Sequence, residues 1–72
     1  MSERVGLELR RIREEEGLTV EELAEKSGVS LTTIRVAERG PREPSDDTVA
    51  RLARPLGLTF DEVWRLQSRR DR

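Results

Sequence analysis

The sequence predicts an all-α domain, compact and built from five short helices. Three observations predict it. Apolar residues recur every three or four positions through most of the chain, the repeat of helices that bury one face. Thr19 with Glu22, and Thr59 with Glu62, have the spacing of a reciprocal cap that starts a helix. Gly17, Gly28 and Gly40 stand where periodic segments end, as helix stops do.

The first helix is expected over 5–16, with Val5, Leu9 and Ile12 as its buried stripe and Gly17 as its stop. Leu7 falls on the opposite face, as an exposed leucine or as part of a contact with a partner. Leu18 plugs the turn. The second helix is expected over 20–27, where Leu23 and Ala24 begin the apolar stripe. Gly28 supplies a left-handed residue and Ser30 caps the third helix, 31–39, which Gly40 and Pro41 close. Ser45 caps the fourth, whose Asp46 and Asp47 sit where the helix dipole favours acids. Val49, Leu52, Ala53 and Leu56 give it a buried face. Pro55 has no N–H to donate, so the helix is expected to kink or end near Arg54. The last helix is expected over 60–67, with Phe60, Val63, Trp64 and Leu66 as its apolar residues. Trp64 reads first as core filling and second as a contact between subunits. Residues 1–4 are expected to be a disordered N-terminus and 68–72 a flexible basic tail, leaving one domain over 5–67.

Composition bounds the chemistry. At 72 residues the chain is close to the lower limit for a self-sufficient core. Charged residues reach 40%, yet net charge is only −1 and the apolar positions are periodic, which favours folding over disorder. Without Cys or His, disulfides and thiolate metal sites are impossible and a zinc site would have carboxylates alone. Catalysis also loses its two most versatile side chains. The acids lie at helix starts and in charge pairs, with no constellation for acid–base work. No enzyme, metal, cofactor or small-molecule ligand is therefore expected. The chain has no signal peptide and no apolar run near the length of a membrane span, so a soluble, cytoplasmic protein is expected.

Two capped helices joined at Gly28 match the helix-turn-helix pattern, whose second helix enters the major groove of DNA. The third helix gives that pattern content. At about 100° per residue, Ile34 and Ala37 fall on one side, toward the core, while Leu31, Thr32, Arg35, Val36 and Arg39 spread over roughly 140° of the other. A guanidinium, a hydroxyl and two apolar groups suit guanine edges, base or phosphate oxygens, and thymine methyls. Acids cluster early in the chain, at Glu14 to Glu16 and at Glu21, Glu22 and Glu25. Arg35, Arg39 and Arg42 line the third helix and its following loop. The domain is thus expected to be electrically two-faced.

The chain as a whole resembles a family. The segments L-R-R-I-R-E-E-E-G-L-T at 9–19, G-V-S-L-T-T-I at 28–34, E-R-G at 38–40, P-S-D-D-T-V-A-R-L-A at 44–53 and L-G-L-T-F-D-E-V at 56–63 are similar, in order and spacing, to the λ-repressor-like, or XRE-type, DNA-binding domain. The resemblance covers about 5–67. It implies a five-helix domain that binds double-stranded operator DNA, usually as a homodimer on a two-fold site, and a transcriptional regulator, most often a repressor.

Carried over by position, the resemblance implies base contacts from Leu31, Thr32, Arg35 and Val36. It implies phosphate contacts from Thr19, Ser30, Arg39 and Arg42, with Arg10 a weaker candidate. Arg13 and Glu38 match a pair that the family uses as a structural salt bridge between the first and third helices. Leu31, Val20 and Pro55 depart from the pattern, and Val36 shares the limitation of Leu31. Leu31 and Val36 cannot hydrogen-bond, so they could only press on a thymine methyl or on protein. Val20 stands where the family often has Gln, and Pro55 where it has a helix-compatible residue. The competing reading is a protein-interaction module on the same scaffold (an antitoxin, an anti-repressor or a transcription cofactor), docking through Leu31, Val36 and Leu7.

Overall fold

The computed structural model describes residues 5–40 and 43–68. It contains α1 (Val5–Glu15), α2 (Val20–Ser27), α3 (Leu31–Arg39), α4 (Asp46–Leu56) and α5 (Phe60–Ser68), with no strand among the described residues. The expected N-terminal segment 1–4, positions 69–72 of the expected tail 68–72, and Pro41 and Arg42 lie outside the described residues, while Ser68 belongs to α5.

Local signals place the helix ends. The Thr19 N–H donates to Glu22 Oε1 at 2.9 Å and the Glu22 N–H donates to Thr19 Oγ1 at 3.0 Å, completing the capping box of α2. Thr59 and Glu62 repeat the exchange at 2.8 and 3.2 Å before α5. Ser30 and Ser45 accept from the N–H groups of Thr33 and Thr48, capping α3 and α4. Gly28 closes α2 at φ +76°, a left-handed conformation that an L side chain adopts only under strain. That single residue lets the chain turn out of α2 toward α3.

The helices bury one continuous core. Val5, Leu9, Leu23, Ile34, Val49, Leu52 and Leu56 are almost wholly sequestered, with Val29 and Leu66 joining them. Ile12, Leu18, Val20, Ala24, Leu58 and Val63 pack on its margin. Helix α1 packs on α3, α2 on α3 and α4, and α4 on α5. The Val5 N–H, an orphan donor at the start of α1, donates to Glu43 Oε1 at 3.1 Å.

Two expectations are corrected. Helix α4 does not end near Arg54; it continues through Pro55 to Leu56. Pro55 lies in the last turn, where its missing N–H removes one intrahelical bond. Leu56 is fully buried and anchors the turn from inside. The N–H groups of Gly57 and Leu58 both donate to the Ala53 carbonyl, closing the helix behind the proline.

Trp64 is not core filling: it is 64% exposed, and Phe60 is 82% exposed. On α5 the side that meets the bundle carries Leu66, buried, and Val63 and Gln67, half-buried. Phe60 and Trp64, four apart, share a turn-to-turn neighbourhood on the outer side. The Gln67 amide fixes this orientation by donating to the Asp46 carbonyl at 3.1 Å.

Candidate nucleic-acid interface

Helix α3 divides its surface cleanly. Ile34, Ala37 and Glu38 are buried; Thr32, Arg35, Val36 and Arg39 are exposed. Val36 stands 54% open to solvent, an unusual state for a β-branched apolar residue in so small a domain. Leu31, the first residue of α3, is half-buried. The helix therefore presents the guanidiniums of Arg35 and Arg39, the Thr32 hydroxyl and the Val36 side chain on its exposed flank.

A buried ion pair holds this helix against α1. Arg13 Nε lies 2.8 Å and Nη2 3.1 Å from the two carboxylate oxygens of Glu38, a two-pronged contact, and Nη1 donates to the Leu18 carbonyl at 2.8 Å. Both residues are buried. The bonds to Glu38 raise the Arg13 pKa, against the opposing effect of burial. The pair that the resemblance implies is thus present, and each of the three Arg13 guanidinium nitrogens donates one bond inward. Arg13 is structural; Arg35 and Arg39, on the other flank, are the cations turned outward.

Between α1, the start of α2 and α3 lies an open cleft of about 510 Å³, lined by Arg10, Arg13, Val20, Arg35, Glu38 and Arg39. Its acids are balanced individually. Glu38 is held by Arg13, and Glu14, at the far side, receives Arg10 Nε at 3.3 Å. Arg35 Nη2 stands 3.7 Å from Glu21 Oε2. Arg39 has no ion-pair partner among the described residues. Arg10, Arg35 and Arg39 make the lining of the cleft predominantly cationic, the charge that backbone phosphates attract.

The helix ends sharpen this asymmetry. Helices α1, α2, α4 and α5 each carry at least one acid in the first turn, whereas α3 carries none. The positive end of the α3 dipole therefore meets the neutral Ser30 cap and no first-turn carboxylate, at the end of the helix that the motif directs toward DNA. Of the expected phosphate residues, Thr19 is exposed and uses its hydroxyl oxygen as a cap acceptor. Ser30 Oγ accepts from the Thr33 N–H and donates to Thr33 Oγ1 at 2.8 Å, so its hydroxyl is committed within the cap. Arg42 lies outside the described residues. Val20, the apolar departure at the start of α2, is half-buried and packs on the core, which accounts for its side chain.

Three contributors escaped the sequence reading. Gly6 is buried where α1 crosses α3: a Cβ there would collide with the Ala37 carbonyl oxygen. Glu43 caps α1 from a loop 38 residues away. Glu21 meets Arg35 across the turn. None has a local signal, because each depends on where a second helix lies.

Comparison with known proteins gives a consistent picture. A family model described as helix-turn-helix matches residues 9–63. An uncharacterised HTH-type transcriptional regulator of Sinorhizobium fredii is 40% identical over 63 residues, covering 88% of this chain and 82% of the relative. An uncharacterised HTH-type transcriptional regulator of Methanothermobacter thermautotrophicus is 49% identical over 49 residues, covering 68% and 71%. No solved structure gives a significant match.

Proposed function

From the chain's membership of the XRE-type helix-turn-helix family, to which it plainly belongs, we propose that this protein is a sequence-specific DNA-binding transcriptional regulator. It acts as a repressor, bound as a homodimer to a two-fold operator. The observation that carries this reading is the outward stripe of α3: Thr32, Arg35, Val36 and Arg39 exposed together on a helix whose first turn has no acid. Arg35 reads guanine, Val36 meets a thymine methyl, and Thr32 reaches a base or phosphate oxygen. Leu31 adds apolar contact at the edge of the stripe. Arg39, Arg42 and Thr19 engage phosphates, with Ser30 serving chiefly as the cap of α3. Affinity then comes mostly from phosphates and specificity from the groove.

The homodimer draws support from α5. Its exposed Phe60 and Trp64 are the only aromatic residues of the chain, and both are held away from the core. A two-fold contact between equal surfaces would cover both pairs at once.

The deciding experiment is a gel shift with DNA from upstream of the protein's own gene, titrated with salt. Specific retardation that weakens steeply with salt is expected. No binding even at low salt would overturn the reading and favour the protein-interaction module, for which exposed Val36 and Leu7 are the apolar contacts.

A further inference from the structure

We propose that Glu21 is a specificity-determining positioning residue, holding the Arg35 guanidinium at the mouth of the groove-facing surface and keeping it off nearby phosphates. The proposal rests on the reading of α3 as the DNA-reading helix. Its geometry is simple. Glu21 lies in the first turn of α2, Arg35 in the middle of α3, and the turn at Gly28 brings their side chains to 3.7 Å. Both side chains remain more than half exposed, 68% for Glu21 and 54% for Arg35.

A pair so open adds little to folding, because water screens it and two long side chains lose freedom to form it. Its consequence lies in recognition. The contact, Nη2 to Oε2 at 3.7 Å, is an ion pair longer than a hydrogen bond, so the N–H groups of the planar fork can still turn to a guanine edge. The other acids at the cleft are already matched, Glu38 by Arg13 and Glu14 by Arg10. Glu21 is therefore the carboxylate whose counter-ion is the base-reading arginine. An arginine released from it would settle on any phosphate, since phosphate contact carries no sequence information. The carboxylate's own repulsion of the backbone is the same for every duplex and cancels in the ratio. Discrimination rises because an arginine kept at Glu21 gains no phosphate contact in the wrong complex.

The test compares Glu21→Ala, Arg35→Ala and the double variant by fluorescence anisotropy. The probes are a duplex selected by the wild-type protein from a random library and a scrambled duplex of equal composition. Glu21→Ala is expected to tighten binding to the scrambled duplex more than to the selected one, lowering the affinity ratio by roughly three- to tenfold. In the Arg35→Ala background the same change should move both affinities alike and leave the ratio unaltered. An unchanged ratio in Glu21→Ala, or an equal fall in both backgrounds, overturns the proposal. Failure of the wild-type protein to bind any duplex at low salt overturns the DNA-binding reading, and this inference with it. Circular dichroism establishes that each variant is folded.

Discussion

No side chain separates Gly6 of α1 from the backbone of Ala37 in α3: the Ala37 carbonyl oxygen occupies the space a Cβ would take. This contact sets the distance between the first helix and the outward-facing one. It works together with the Arg13–Glu38 bond, about two turns further along α1 and at the next residue of α3. Residue size fixes the spacing and the ion pair fixes the tilt.

Gly6→Ala is accordingly expected to destabilise the domain by about 1–3 kcal/mol, the usual cost of forcing extra volume into a packed interface. Denaturant unfolding measures it. Because α3 must move to make room, selected-site DNA affinity should fall further than stability alone explains. A variant as stable as the parent would mean that the helices separate freely.

Removing either partner of the buried pair should cost about 3–5 kcal/mol, since an unmatched charge remains inside. Arg13→Met and Glu38→Leu together should cost much less than the sum of the two. The raised Arg13 pKa adds a pH statement. A cation whose folded pKa lies above its unfolded one stabilises fully below the unfolded value and loses that effect only as pH climbs through the folded one. Alkaline titration through neutral and mildly basic pH should therefore leave this contribution intact, as followed by thermal melting.

Arg35→Ala and Arg39→Ala should separate base reading from backbone binding. The first should lose about 1–3 kcal/mol on the preferred duplex and little on a scrambled one; the second should weaken both alike and flatten the salt dependence. Paired anisotropy titrations read the difference. Equal losses for Arg35→Ala on both duplexes would remove it from the base-contact set.

Trp64 is the only tryptophan, and its exposure makes it a reporter. Acrylamide should quench its fluorescence strongly at low protein concentration and less as subunits pair. Trp64→Glu should keep the protein monomeric in sedimentation while shifting stability by no more than about 0.5 kcal/mol, as for an exposed site. A parent protein that stays monomeric on operator DNA would exclude the two-fold arrangement.

Helix boundaries were legible where the determinants are local. Thr19 with Glu22 and Thr59 with Glu62 complete the caps that their spacing predicts, and Gly28 takes the left-handed conformation its position suggests. The separation of Ile34 and Ala37 from Arg35 and Val36 also follows from helical repeat alone. Less legible were Pro55 and Trp64. A proline inside a pattern argues for a break, but a buried Leu56 and the bonds behind it outweigh one missing donor. An aromatic on an apolar helix argues for burial, yet α5 has more apolar width than the bundle covers.

The sequence by itself determined five helices, the caps that start the last four, and the face of α3 that needs no packing, because caps, glycine turns and helical repeat act within a few residues. Tertiary structure alone decided that Leu66 goes inward while Trp64 stays out, that Gly6 receives the Ala37 carbonyl, and that Glu21 meets Arg35. Each of these depends on the position of a second helix, which the packing of the whole core sets and no short segment encodes.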